Sequence, residues 1–174
     1  MNIERNCAFT GHRPALFKFK YDESHEDCIN IKRRLYREIE RVFFDEGVKV
    51  FISGGALGVD MWAMEAVLEF RKKEPSVRLV AAIPFRGQEE KWSTSQKERY
   101  RNLIAQCDKA AYFSEFYYSG CYHERDRKMV ENAGRLIAVY DGRPDGGTAY
   151  TVEYARKLGR RITVIDPNNA EEIF

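Results

Sequence analysis

Cysteine is scarce in this sequence, and its spacing excludes two kinds of site. Only four of the 174 residues are cysteines: Cys7, Cys28, Cys107 and Cys121. None of them forms a Cys-x-x-Cys pair, and the chain lacks the dense cysteine pattern of a disulfide-stapled protein. We therefore predict reduced, mostly structural thiols, and we assign neither a metal site nor a cofactor.

Long apolar runs and a strong excess of one charge are also missing. No run approaches the roughly 20 residues that a membrane-spanning helix needs, and the first residues lack the pattern of a secretion signal. The formal net charge is only +2, which is too small to identify a nucleic-acid binder by charge alone. These observations predict a soluble, cytoplasmic protein with no membrane partner and at most weak binding of nucleic acid.

Short apolar runs alternate with amphipathic segments along almost the whole chain. The apolar runs predict strands at residues 7–11, 48–53, 77–85, 109–114, 135–141 and 161–166. Apolar residues at helical spacing predict helices at residues 27–47, 58–74, 93–107, 121–134 and 148–159. Strands separated by helices pair in parallel, and uniformly apolar strands fit a sheet that is covered on both faces.

The predicted fold is therefore α/β: a single doubly wound, Rossmann-like domain over residues 1–174, with a mostly parallel sheet and helices on both faces. Residues 167–174 are expected to form a tail or a short packed turn. In such a sheet, ligands bind beyond the carboxyl ends of the strands. The residues that directly follow the strands are accordingly the first candidates for a site.

Glycines, small hydroxyl residues and a cation collect at this edge. The groups are Gly11, His12 and Arg13; Ser53, Gly54 and Gly55; and Gly146, Gly147 and Thr148. The second and third groups lead into helices, whose first amide groups are unpaired and attract anions. Because glycine lacks a Cβ, its backbone can approach a phosphate closely. Two such loops at one edge predict a phosphate or nucleotide site.

Several side chains near these loops have alternative interpretations. Asp60 is expected to support the glycine loop by accepting backbone amides, although it could also bind a ligand hydroxyl. Arg13 is either a bidentate phosphate clamp or a surface cation. The helix at residues 121–134 offers Arg125, Arg127 and Lys128, which are either solvated charges or include one arginine that points into the site, and we assign Arg127 to the site. The nearby tyrosines at positions 117, 118 and 122 either stack on a base or cover the end of the sheet.

Taken together, the segments resemble a known family. In order and spacing, "TGHR", "SGGALGVD", "IPF", "RDRKMVENAGRLIAVYDG" and "GGTAYTVEYARKLG" are similar to the YpsA-like proteins of the SLOG superfamily, over about residues 9–167. The resemblance implies a Rossmann-like fold that binds nucleotides or nucleic acid through its glycine loops. The superfamily also contains the LOG phosphoribohydrolases and DprA, which binds single-stranded DNA.

This chain departs from the LOG enzymes at the position of their catalytic glutamate. The LOG enzymes place a catalytic glutamate two or three residues after the threonine of their glycine loop, where this chain has Tyr150 and Thr151. Glu153 lies five residues after Thr148 and would point elsewhere on a helix. Glu153 and Asp60 remain the candidate catalytic carboxylates if the protein is an enzyme.

The sequence thus predicts a binding protein or sensor for a phosphorylated nucleotide or a nucleotide-derived small molecule. Two alternatives remain open: a nucleoside 5′-monophosphate glycosidase of LOG type, and a DprA-like binder of single-stranded nucleic acid. Self-association into a homo-oligomer is compatible with the sequence.

Overall fold

A computed structural model describes residues 2–169, so residues 170–174 of the expected tail lie outside the described residues. The strands are β1 (Asn6–Gly11), β2 (Val50–Ser53), β3 (Arg78–Ile83), β4 (Lys109–Tyr112), β5 (Arg135–Val139) and β6 (Arg161–Ile165). The helices are α1 (Glu26–Glu46), α2 (Val59–Lys73), α3 (Thr94–Gln106), α4 (Cys121–Glu131) and α5 (Gly147–Lys157). Short 3-10 turns at Ile3–Arg5 and Pro14–Leu16 were not predicted.

The six strands form one sheet in the order β4-β3-β2-β1-β5-β6, and every pairing is parallel. The predicted doubly wound α/β fold is therefore confirmed. From β1 the chain adds strands outward to β4, then returns to place β5 on the other side of β1. The strand order reverses between β1 and β5, so their carboxyl ends leave a crevice at this point.

The helices divide unequally between the two faces of the sheet. Helices α1, α2 and α3 pack on one face around the larger core cluster, which includes Phe9, Phe51 and Trp62. Helices α4 and α5 pack against each other on the opposite face, with Met129 and Val152 in the second cluster. No helix within residues 2–169 is long and apolar enough to cross a membrane.

The long connection from β1 to α1 is fixed by aromatic packing and by one carboxylate. Phe17 and Phe19 stack at 4.9 Å between ring centroids, and both rings contact Trp62. Glu23 accepts hydrogen bonds from the Trp62 indole at 3.0 Å and from Arg99 at 2.6 Å, and it pairs with Lys32. Burial alone would raise the pKa of Glu23, but these donors outweigh it and lower the pKa to about 2.

We expect Glu23→Gln to remove part of the acid sensitivity of the fold. A carboxyl whose pKa falls on folding contributes stability above its unfolded pKa, and this contribution is lost as the pH drops towards the folded pKa. For Glu23 the loss spans roughly pH 4.5 to 2. Urea unfolding across this window should show a steeper loss of stability in the wild type than in Glu23→Gln. The exposed Glu26→Gln should follow the wild type, and equal slopes for all three proteins would contradict the role of Glu23.

Candidate functional site: a pocket at the switch point of the sheet

A pocket of about 300 Å³ lies beyond the carboxyl ends of the strands, at the point where the strand order reverses. It is enclosed by the end of β1 and by the first turns of α2, α4 and α5 with the loops that precede them. The lining residues are Phe9, Thr10, Gly11, His12, Arg13, Leu16, Ala56, Leu57, Asp60, Tyr122, His123, Arg125, Asp126, Asp145, Gly146, Gly147 and Thr148.

The three helices that begin at this pocket lack side-chain caps. Helices α2, α4 and α5 each start from a glycine, which has no side chain to cap their first amides, and in α4 the Cys121 amide donates to the Tyr118 carbonyl at 3.1 Å. By contrast, α1 is capped by His25 and α3 by a reciprocal capping box from Ser93. Uncapped first-turn amides are the donors that bind anions at helix N-termini. The N-termini of α1 and α3, which lie away from the pocket, are therefore capped by side chains, whereas the N-termini of α2, α4 and α5 at the pocket are not.

The start of α5 offers the most open approach to such donors. Gly146, Gly147 and Thr148 all line the pocket. A Cβ added at Gly146 or Gly147 would meet no atom within 4 Å, so the backbone here is approachable from the pocket. The sequence prediction that this glycine loop enters a helix at the edge of the sheet is thus met in the structure.

Arg13 places a cation at the rim of the pocket. Its guanidinium carbon lies 5.6 Å from the centroid of the Tyr122 ring. The side chain is exposed, and no carboxylate of the described residues pairs with it. A stacked guanidinium with free donors is suited to hold a phosphate in a fixed orientation.

Arg125 forms the floor of the pocket. Its side chain is buried, and Nη1 donates to the carbonyls of Gly54 at 2.8 Å and Ala82 at 3.1 Å. Nε donates to Asp126 at 2.7 Å. Burial alone would lower the pKa of Arg125, but the carboxylates of Asp126 and Asp60 outweigh it and raise that pKa. The floor is therefore a fixed positive charge that ties the ends of β2 and β3 to α4.

Asp60 lies beside this cation at the start of α2. Its Oδ2 accepts from the Ala56 amide at 3.2 Å, which is the loop-supporting contact expected from the sequence. Its backbone carbonyl accepts from the Ser53 hydroxyl at 2.9 Å. Burial raises the pKa of Asp60, although Arg125 and Arg13 oppose this effect.

His12 is buried at the wall of the pocket, and its side chain is held by a carboxylate. Its Nε2 lies 3.0 Å from Asp141 Oδ1, across the gap between the ends of β1 and β5. Hydrogen bonds from Arg143 and then from His12 lower the pKa of Asp141. His12 therefore joins the two strands at the switch point while also lining the pocket.

The glycine loop after β2, which contains Ser53, Gly54 and Gly55, packs behind the pocket lining and is not part of it. A Cβ at Gly54 would lie 2.1 Å from Arg125 Nη1, so only glycine fits above the buried cation. Gly55 has φ +65°, and a Cβ there would meet Ile83 and Tyr100 in the core. Gly11 does line the pocket, but its own missing Cβ faces Val59 at 2.5 Å. Ser53, Gly54 and Gly55 thus act on the pocket through packing.

Two residues predicted for the site lie elsewhere. Arg127 is exposed on α4 and donates to the Tyr150 hydroxyl at 3.2 Å, outside the pocket lining. Glu153 is exposed on α5 and pairs with Arg156. The prediction that Glu153 points away from the position of the LOG acid agrees with this arrangement.

The charged pair that α4 contributes to the pocket is Arg125, which the sequence offered beside the assigned Arg127, and Asp126, which sequence reasoning missed. Arg125 belongs to the buried stripe of α4, four residues from both Cys121 and Met129. That spacing was readable from the sequence and would have distinguished Arg125 from Arg127. Asp126 lines the pocket and accepts from the Thr151 hydroxyl at 3.3 Å. Among residues 2–169, no cluster of three or more histidine, cysteine or acidic side chains could hold a metal ion.

Comparison with known proteins identifies the family. A family model for YpsA, described as the YspA SLOG family, matches residues 7–169. The chain belongs to this family. A UPF0398 protein of Brevibacillus brevis is 34% identical over 142 residues, covering 79% of this chain and 73% of the relative. A UPF0398 protein of Bacillus cereus is 33% identical over 155 residues, covering 87% of this chain and 83% of the relative.

Among solved structures, this member of the YspA SLOG family is similar in fold to two DprA proteins. DprA from Helicobacter pylori superposes with a TM-score of 0.63 at 18% identity, covering 98% of this chain and 69% of that protein. DprA from Streptococcus pneumoniae gives a TM-score of 0.59 at 17% identity, covering 92% of this chain but only 50% of that protein. The H. pylori protein is described as binding single-stranded DNA. At this identity the likeness establishes the fold.

Proposed function

We propose that this protein binds a phosphorylated nucleotide or a nucleotide-derived ligand in the pocket at the switch point. The observation that carries the proposal is the selective lack of side-chain caps on the three helices that begin at this pocket. A phosphate would accept from the first amides of α5, where Gly146 and Gly147 leave the backbone open. Such sites combine backbone donors with the positive end of the helix dipole.

The other lining groups suit the remainder of a nucleotide. Arg13 can add a charge-assisted hydrogen bond to a phosphate from the rim. The carboxylates of Asp126 and Asp145 can accept from ribose hydroxyls, since ionised carboxylates are acceptors only. Tyr122 and His123 provide aromatic surface on the side of α4. Phosphate, sugar and base thus each have a complementary group within one pocket.

A second candidate, hydrolysis of the glycosidic bond, is favoured by one observation. Thr151 occupies the position three residues after Thr148 and donates to Asp126, so α4 supplies a carboxylate beside that position. A carboxylate near the sugar could stabilise a developing oxocarbenium ion or activate water. Asp126 is therefore a better candidate for this role than Glu153, which is paired with Arg156 on the surface.

Binding of single-stranded nucleic acid is the third candidate, since the H. pylori DprA of similar fold is described as binding single-stranded DNA. The formal charge of this chain is only +2, so few phosphates beyond the pocket could be neutralised. Binding of a long strand should accordingly be weak and should decline steeply with added salt.

The proposal can be tested by thermal shift and calorimetry with a panel of nucleoside 5′-monophosphates, diphosphates and dinucleotides. At a ligand concentration of 100 times its Kd, binding should stabilise the protein by about 2.7 kcal/mol. Arg13→Gln should weaken binding by roughly tenfold because one charge-assisted contact is lost. The exposed Arg33→Gln on α1 is the matched control and should bind as the wild type does. Failure of every nucleotide to bind would contradict the proposal.

Chromatography of the same samples after overnight incubation separates binding from hydrolysis. We expect no release of free base. Release that is lost in Asp126→Asn but retained in Glu153→Gln would establish the second candidate and would name its carboxylate.

A further inference from the structure

A group of aromatic rings, half-buried at Phe85 and Tyr122 and exposed at Tyr117, continues from the pocket along the edge of the sheet. Tyr122 lines the pocket, and its ring contacts Phe85 at 5.9 Å and Tyr117 at 6.5 Å between centroids. Phe85 and Tyr117 also contact each other at 5.6 Å. We call Phe85, Tyr117 and Tyr122 the aromatic shelf. One of its members thus belongs to the pocket, whereas Tyr117 is 64% exposed to solvent.

The shelf is held in place by its own loop. Tyr118 donates its hydroxyl to Glu124 at 2.6 Å, and the Ser114 hydroxyl both donates to the Phe116 carbonyl and accepts from the Phe116 amide. The Arg86 amide donates to the Ser114 carbonyl at 3.0 Å. The bonds of Ser114 fix the backbone before Tyr117, and the Cys121 amide, which donates to the Tyr118 carbonyl at 3.1 Å, fixes it after Tyr117. A ring that is fixed before binding loses little conformational freedom when a ligand stacks on it.

Cations accompany the aromatic rings on this surface. The guanidinium carbon of Arg13 lies 5.6 Å from the Tyr122 ring, and that of Arg86 lies 4.2 Å from the Tyr112 ring. Phe116, next to Tyr117, is 79% exposed. Exposed rings interleaved with arginines are the combination that binds successive bases joined by phosphates. Arg86 is paired with Glu115 at 3.1 Å, whereas no carboxylate of the described residues pairs with Arg13, so a purely apolar partner would leave Arg13 without an anion.

We propose that the aromatic shelf is a second base site, so that the ligand contains two nucleosides joined by phosphate. One nucleotide occupies the pocket with its phosphate at the start of α5, and the base of the other stacks on Tyr117. This inference rests on the proposed function, because the pocket must first hold a nucleotide. The second nucleoside could come from a dinucleotide or from the next position of a short single strand, and both present the same stacked base.

Calorimetry with matched ligands tests the second site. The probes are the 5′-phosphorylated dinucleotides pApA, pCpC, pGpG and pUpU, each compared with its mononucleotide. Stacking of one added base should lower the Kd of the best dinucleotide by about fivefold to hundredfold relative to its mononucleotide. Trinucleotides then distinguish the two sources, since a further gain in affinity indicates a strand and no further gain indicates a dinucleotide.

Substitutions in the aromatic shelf test whether Tyr117 provides the higher affinity of the dinucleotide. Tyr117→Leu should abolish the advantage of the dinucleotide while leaving the Kd of the mononucleotide unchanged, and Tyr117→Phe should retain the advantage. Phe44→Leu is the matched control, because Phe44 is also 64% exposed but lies at the end of α1. Equal Kd values for mononucleotide and dinucleotide in the wild type, or a gain that survives Tyr117→Leu, would overturn the second site. The proposed function itself would be overturned only if neither mononucleotides nor any other nucleotide of the panel bound to the wild type.

Discussion

Arg125→Met is expected to destabilise the protein by about 3–5 kcal/mol, the range for removing one partner of a buried ion pair. The guanidinium of Arg125 is buried between the carboxylates of Asp126 and Asp60 and donates to two backbone carbonyls. Methionine keeps the apolar stem of arginine but has no donor, so Asp126 and the two carbonyls would each lose a hydrogen bond and the buried Asp60 would lose its neighbouring cation. Urea unfolding followed by circular dichroism measures the difference in unfolding free energy.

Arg127→Met is the matched control, two residues along the same helix. Arg127 is exposed, and its hydrogen bond to Tyr150 is long, at 3.2 Å. We expect its removal to change stability by no more than about 0.5 kcal/mol, as for most surface substitutions. Equal effects of the two substitutions would refute the assignment of Arg125 as the floor of the pocket.

Gly147→Glu is expected to weaken nucleotide binding by about a hundredfold without harming the fold. A Cβ added at Gly147 meets no atom within 4 Å, so a side chain can start there without a clash. A carboxylate in the first turn of α5 complements the helix dipole and should raise stability by up to about 1 kcal/mol. The same carboxylate would occupy and repel the proposed phosphate position. Loss of two charge-assisted contacts predicts a Kd that is higher by about a hundredfold.

Gly147→Gln separates the contribution of charge from that of size, because glutamine has nearly the same shape but no charge. It should weaken binding less than Gly147→Glu does. Chemical denaturation and calorimetry on the same samples provide the two measurements. Nucleotide affinity equal to that of the wild type in Gly147→Glu would exclude the start of α5 as the phosphate site.

The fold could be predicted closely because each element carries its own local pattern. Helix α1, for example, was expected at residues 27–47 and is found at Glu26–Glu46, ended by Gly47 in the left-handed conformation. The strand ends were less well defined: the apolar run at residues 77–85 continues past Ile83, where β3 ends. Pairing with neighbouring strands sets that boundary, and a single segment does not encode its neighbours.

The candidate site was predicted in part, for a different physical reason. Glycines after strands are visible in the sequence, and Gly11, Gly146 and Gly147 do line the pocket. Whether such a glycine faces a ligand or a neighbouring side chain depends on packing, so Gly54 and Gly55 proved to face Arg125 and the core. The face that α4 turns towards the sheet decides which of Arg125 and Arg127 lines the pocket, and the position of that face depends on the packing of α4 against the sheet.

The contacts of Arg125 and His12 also determine the stage of protein synthesis at which the pocket can form. Arg125 binds a carbonyl 71 positions earlier in the chain, and His12 binds a carboxylate 129 positions later. The walls of the pocket therefore come from both ends of the chain, with residues between Phe9 and Thr148. During synthesis, a nascent chain in which Asp141 and the start of α5 have not yet left the ribosome has no complete pocket, whatever local structure it has formed. The pocket is thus completed only after α5 has been made, and we expect no amino-terminal fragment that ends before α5 to bind the proposed ligand.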